Sequence, residues 1–235
     1  MELNLQAIRE GWSTQTLLDT MINRVFSGKI AVVSSFGIES APLLHMVAQV
    51  DRTVPVIFLD TGKLFPETLR YRDTLVERLG LTRVRAVPPN EATLAAVDSD
   101  GTLWRSDPSL CCWARKVEPL DEALAGFEAW ITGRKRFQGG KRSDLALVES
   151  GDDGRTKVNP LAFWNEADLA AYFAAHDLPR HPLEARGYRS IGCAVCTRPT
   201  KPGENPRAGR WSGTDKTECG IHDRGAVVDA RGAGI

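Results

Sequence analysis

The sequence predicts an α/β fold built on a doubly wound, mainly parallel sheet. Two observations lead there. Short β-branched runs alternate with longer segments of helical period, and an alternation of that kind implies right-handed crossovers between parallel strands. The chain has 235 residues, of which 42% are hydrophobic and 26% charged, enough to bury most of its surface as one domain with an appendage.

In chain order, Ser13 is placed to cap a helix whose apolar residues Leu17, Leu18, Met21, Ile22, Val25 and Phe26 recur at helical spacing, with Gly28 as its stop. IAVVSS, Ile30 to Ser35, follows as a buried strand, and the loop FGIES leads into the apolar helix APLLHMVAQV. VPVIFLD, Val54 to Asp60, is a second buried strand; the turn TGK then enters a helix over PETLRYRDTLVERLG, in which Pro66 suits the first turn. TRVRAV and AWIT are two further strands. Ligands of such sheets bind beyond the carboxyl ends of the strands, so SSFGIES and LDTGK share one rim. SSFGIES joins a strand to a helix N-terminus, where backbone N–H groups and the helix dipole favour an anion, although the lysine of a Walker loop is missing.

Beyond Pro199 the composition shifts to Pro, Gly, Lys and Arg, with Trp211 as the one large apolar residue before Cys219. A segment of that kind builds no core of its own. The expected division is an α/β domain over residues 1–199 and a mobile arm over 200–235 that folds over the rim. No internal repeat or low-complexity block is present.

Thirty basic and thirty acidic residues give a formal net charge of zero, so neither nucleic acid nor an acidic membrane is an expected partner, and any anion site must be local. The N-terminal residues lack the apolar core of a signal peptide and no apolar run approaches a membrane span, which leads to an expected cytoplasmic location. The chain has five cysteines, and in a reducing compartment these suggest metal binding or catalysis ahead of disulfides.

Cys111 and Cys112 are adjacent, and Cys193 and Cys196 form a C-x-x-C pair. Neighbouring cysteines point apart, which suits a cubane whose irons each take one thiolate better than it suits a single zinc ion. Cluster, zinc and inert buried thiols all remain open at this level. Cys219 has no partner in sequence, but Lys216, Arg207, Arg210 and His222 surround it with groups that favour a reactive thiolate. GRKRFQGGKRSD, Gly133 to Asp144, carries five basic residues after the AWIT strand; it reads either as a solvated charge run or as a site for phosphate or sulfate.

Together these segments resemble the assimilatory sulfonucleotide reductases, which reduce adenosine 5′-phosphosulfate (APS) or its 3′-phosphorylated form (PAPS) to sulfite. The resemblance runs from about Ser34 to His222 through SSFGIES, LDTGKLFPET, CCWARKVEPL, WITGRKRFQGGKRSD, KVNPLAFW, RGYRSIGCAVCTRP and KTECGIH. It implies a five-stranded sheet of the adenine nucleotide α-hydrolase-like, PP-loop type. It further implies that Ser34, Ser35, Gly37 and Ser40 form the anion loop, that Leu59 and Gly133 meet the adenine through their backbones, and that Arg142, Arg207 and Arg210 hold the phosphosulfate. Lys116 matches a lysine between cluster and substrate, and Cys219 matches the nucleophile. Cys111, Cys112, Cys193 and Cys196 match the ligands of a 4Fe-4S cluster, a set that goes with APS as substrate. SSFGIES looks closer to the PAPS enzymes, and the basic GRKRFQGGKR departs from the GQRRDQS pattern, so dual specificity stays open. The implied partners are thioredoxin or glutaredoxin as reductant and a second copy of the chain in a homo-oligomer. An ATP-dependent PP-loop ligase would need an SGGxDS-type loop, and a non-enzymatic iron–sulfur sensor would leave the rim motifs without a use.

Overall fold

The computed structural model describes residues 12–151 and 153–222. The first helix, α1 (Thr14–Thr20), begins where expected: Ser13 is extended and its side chain accepts a hydrogen bond from the Thr16 N–H. It continues as a π-helical turn over Met21–Val25. Then follow β1 (Ile30–Val33), α2 (Ser40–Val50), β2 (Val56–Leu59), α3 (Pro66–Leu79), β3 (Val84–Val87), and the short helices α4 (Glu91–Val97), α5 (Leu103–Ser106) and α6 (Pro108–Cys112). Pro66 occupies the first turn of α3, and Gly80 ends that helix in the left-handed conformation.

A π-helical turn over Trp113–Val117 joins α6 to α7 (Glu118–Ala123). Its cause is local, because Pro119 has no N–H to donate and the Glu118 N–H reaches back to the Trp113 carbonyl. The chain closes with β4 (Ala129–Ile131), β5 (Val148–Ser150), β6 (Thr156–Val158) and α8 (Glu166–Ala175).

The strands form one sheet in the order β3-β2-β1-β4-β6-β5. Five of them run parallel, as expected; the sheet is extended to six by β5, which pairs antiparallel with β6 at the edge. Alternation along the strands divides the core in two. Ile30, Val32, Val56, Phe58 and Ile131 pack toward α1, α2, α3 and α8, while Ala31, Ile57 and Trp130 pack toward Leu120, Ala123 and Leu124 of α7. Helices therefore cover both faces, and the parallel strands read as continuous apolar runs because they are buried on both sides.

Topology fixes where the site lies. The chain winds from β1 out to β3, then returns to β4 on the other side of β1, so the loops after β1 and β4 diverge and open a crevice. No helix among the described residues is long and apolar enough to cross a membrane.

Candidate active site

At that crevice the Ser34–Glu39 loop is wedged from beneath. Phe36 is wholly buried against Phe58, with ring centroids 5.4 Å apart, and it adopts a left-handed backbone (φ 46°) that few residues other than glycine tolerate. The Ser34 hydroxyl accepts from the Phe36 N–H at 3.2 Å, and the Gly37 carbonyl accepts from the Ser40 N–H at 3.1 Å. A Cβ on Gly37 would stand 3.2 Å from the Ser35 hydroxyl, so the loop folds this tightly only with glycine there.

The basic loop after β4 is pinned to the same place. Lys135, buried to 1% exposure, bonds the Glu39 carboxylate at 2.8 Å and the Gly133 carbonyl at 2.9 Å. Gln138 donates to the same Glu39 oxygen. Arg134 pairs with Glu149 of β5 at 2.5 Å, which gives the sixth strand a function in the site. The run Arg134 to Arg142 is thus largely folded inward; Arg134, Lys135 and Arg142 are all buried.

The cysteine pairs approach from two directions. Cys193 is held on the LDTGK turn: the Thr61 hydroxyl lies 3.2 Å from its sulfur, Leu64 and Cys193 form a β-bridge, and the Ala194 N–H donates to the Lys63 carbonyl. A buried ion pair ties the same turn to the Cys111–Cys112 helix. Arg115 donates to Asp98 at 2.5 Å and to the Thr61 carbonyl at 2.9 Å. Cys111 faces Cys193 and Cys196; burial first, then those neighbours, pushes its thiol up to about 11. Cys112 hydrogen-bonds Cys219 and shares a buried cluster with it, against which Cys196 also packs. Among the described residues, no group of three or more His, Cys, Asp or Glu is arranged to hold a single metal ion.

Residues 200–222 lie over the rim. The Trp211 N–H donates to the Cys196 carbonyl, Thr197 and Arg210 form an antiparallel bridge, and the Lys216 ammonium reaches the Ser109 hydroxyl at 3.2 Å. Trp211 and Cys219 are buried with Cys112 in a small cluster of their own. The part of the expected arm beyond His222 lies outside the described residues.

Every residue expected to bind substrate or act on it lines one cavity: Ser34, Ser35, Gly37 and Ser40 after β1, Leu59 after β2, Gly133 and Arg142 after β4, Lys116 from the π-helical turn, and Arg207, Arg210 and Cys219 from the arm. Lys116 lines this cavity and is buried beside Cys193, Cys112 and Cys219. Burial pushes its ammonium down, but Cys193, Cys112 and Cys219 outweigh burial and hold it charged. Cys219 sits well below the ordinary thiol range, first through the hydrogen bond from Cys112 and, against burial, through Lys116 and Arg210.

Two further residues enter: Glu218, which sequence reasoning passed over, and His222, which it placed near Cys219 but not against Trp130. Glu218 accepts from Arg142 Nε at 2.6 Å and Nη2 at 2.8 Å, and from Arg207 Nη2 at 3.2 Å. His222 stacks on Trp130, with centroids 5.5 Å and planes 8° apart, and burial, then Arg134 and Arg142, hold it neutral. The sequence signal for Glu218 is adjacency to Cys219 in KTECGIH.

Residues 29–199 match the phosphoadenosine phosphosulfate reductase domain. A protein of Mesorhizobium japonicum named adenosine 5′-phosphosulfate reductase is 51% identical over 219 residues, covering 93% of this chain and 86% of that one. The crystal structure of phosphoadenylyl-sulfate reductase from Candida auris, a phosphate complex, superposes with a TM-score of 0.69 at 26% identity, covering 83% of this chain and 96% of that one. Yeast FAD synthetase shares the fold at a TM-score of 0.58 and 16% identity, over 100% of this chain and 80% of that one.

Proposed function

Because the chain belongs to the phosphoadenosine phosphosulfate reductase family, we propose that it reduces adenosine 5′-phosphosulfate to sulfite and AMP through a covalent intermediate on Cys219, in the assimilation of sulfate toward cysteine. One observation carries this reading: the arm sets the Cys219 sulfur in the same cavity as the Ser34–Ser40 loop and three arginines. A lone buried thiol among anion-binding groups is arranged for attack on an anionic electrophile.

In the first half-reaction the Cys219 thiolate attacks the sulfonyl sulfur of APS in line. A sulfur–sulfur bond forms, the bond from that sulfur to the bridging phosphate oxygen breaks, and its electron pair leaves with AMP. Lys116, Arg142, Arg207 and Arg210 stabilise charge on the non-bridging oxygens, where fixed donors count most. Removing one of them should raise the barrier by about 3 kcal/mol, on the order of a hundredfold in rate.

In the second half-reaction an external dithiol, thioredoxin or glutaredoxin, attacks the Cys219 sulfur and sulfite departs with the electron pair. The second thiol of the reductant then displaces Cys219, so the reductant is oxidised to its disulfide as the sulfonyl sulfur is reduced. With Cys111, Cys112, Cys193 and Cys196 holding a 4Fe-4S cluster, no resolving cysteine remains in the chain, so the dithiol must come from outside. Their chemistry fits that group: four thiols on two segments, both clamped to the Thr61–Leu64 turn, are the donor set an iron–sulfur cluster takes. Bound there, the cluster supplies fixed charge and order beside Lys116 and stays in one oxidation state, which EPR during turnover checks.

Holoenzyme mixed with APS and no reductant should release about one AMP per site and gain a sulfite-sized mass on the tryptic peptide containing Cys219. Cys219→Ser should release none; turnover by that variant excludes the covalent scheme. Parallel kinetics with PAPS measure the preference between the two nucleotides.

A further inference from the structure

We propose that Glu218 is a built-in competitor for the substrate's anion: its carboxylate takes the Arg142 and Arg207 guanidinium groups, latches the arm over the cavity, and is displaced when an oxyanion claims them. The inference rests on the reading of those arginines as the anion donors of the proposed reaction.

The carboxylate is held as an oxyanion would be. Arg142 grips it with two donors, at 2.6 Å on one oxygen and 2.8 Å on the other, the fork geometry that also suits sulfate and phosphate. Its Oε1 additionally accepts from Arg207 at 3.2 Å and from the Cys219 N–H at 2.8 Å. Glu218 lines the cavity beside both arginines and is 8% exposed. An oxyanion entering while it stays would meet a like charge at close range with no water between them.

A second observation points to the incoming ligand. Arg210 lines the same cavity, yet the only hydrogen bond of its side chain among the described residues runs from Nη1 to the Ile191 carbonyl, and its buried Nε has no acceptor. It is the donor still free to receive an anion. Gly192 leaves room for it, because a Cβ on that residue would lie 2.3 Å from Arg210 Nη2. Glu218 and Cys219 are adjacent, so releasing the carboxylate from Arg142 and Arg207 loosens the backbone that carries the nucleophile. The contact that shuts the arm and the contact that binds the anion are then mutually exclusive.

The test uses holoenzyme, with inorganic sulfate and AMP as probes. Sulfate, compared with chloride at equal ionic strength, should speed iodoacetamide alkylation of Cys219 in the native chain, read by peptide mass. Glu218→Gln should be alkylated fast without sulfate and respond to it no further. The same variant should bind AMP about tenfold tighter, the factor expected if the latch leaves about a tenth of molecules open; Glu218→Asp should fall between. A merely structural Glu218 predicts the reverse, so AMP binding that weakens or stays unchanged in Glu218→Gln overturns the latch, as does sulfate that slows or does not change alkylation of the native chain. The second measurement stands even if the variant fails to fold. Sulfate-accelerated alkylation without AMP release from APS would refute the reductase reading and leave the latch; AMP release with inert sulfate would do the opposite.

Discussion

The Ser34–Glu39 loop and the 200–222 segment deliver groups to one cavity by different physical means. The loop hangs from the core: Ser34 donates its N–H to the Ile57 carbonyl of β2, and Phe36 is buried beneath it at 0% exposure. The segment is held by its edges, through one β-bridge, the Glu218 ion pairs and the ring of Trp211, over which Arg210 lies at 4.4 Å. Burial fixes the loop whatever ligand is present. The segment is held in part by ion pairs that line the cavity, which suits the proposed reaction, in which Cys219 serves a nucleotide in one half-reaction and a redox protein in the next.

The hardest test of this contrast is a matched pair of aromatic truncations, since Phe36 and Trp211 are both almost wholly buried and both sit at positive φ, 46° and 48°. Phe36→Ala should lower global stability by about 3–5 kcal/mol, seen as a large drop in Tm, because the cavity opens inside the core that α2 and β2 share. Native-like melting of that variant would mean that the loop is no part of the core.

A smaller effect concerns the seam between the two regions, the 176–192 connection that leads from α8 to the C-x-x-C turn. His181 anchors it. Its ring accepts from the Leu183 N–H at 3.1 Å, lies 3.2 Å from the Thr68 hydroxyl of α3, and packs edge-on against Tyr71. Burial lowers it from the ordinary 6.5 to about 4, against a slight lift from Glu67. Between those values the unfolded chain takes a proton that the folded one refuses. Stability should therefore be full above pH 6.5, fall as pH drops toward 4, and level off below. The loss is on the order of 3 kcal/mol, since His181 is 1% exposed. His181→Gln should flatten that part of the pH–Tm curve relative to the native chain, while an unchanged slope would assign the acid sensitivity to other groups.

Legibility in the sequence follows the same division. β1 and β2 are readable because a strand buried on both faces is apolar throughout, and α3 because Pro66 and Gly80 bracket it. β5 and β6, VES and TKV, are three-residue strands, β6 paired to β4 and β5 added to β6 at the edge, so their pairing depends on β4 and no local pattern announces them. The cavity-lining residues were legible as motifs. Glu218 was not, since a carboxylate beside a nucleophile in a polar tail reads as a solubilising charge until Arg142, 76 residues away, is seen to grip it.

Trp211→Ala is the smallest perturbation of stability and the sharpest of the comparison. A tryptophan at 3% exposure would ordinarily cost as much to truncate as Phe36. Here the loss is capped, because once it exceeds the free energy of docking the segment simply lifts away and the α/β core unfolds as before. The melting transition should move by the equivalent of about 1 kcal/mol or less. Hydrogen exchange should speed selectively across 197–222, where the Trp211 N–H bonds the Cys196 carbonyl and the Arg198 N–H bonds the Gly209 carbonyl. AMP release from APS should fall with it, since Cys219 loses the surface that seats it. A drop in Tm matching that of Phe36→Ala would show the segment to be core, and the distinction between a fixed rim and a docked arm would be lost.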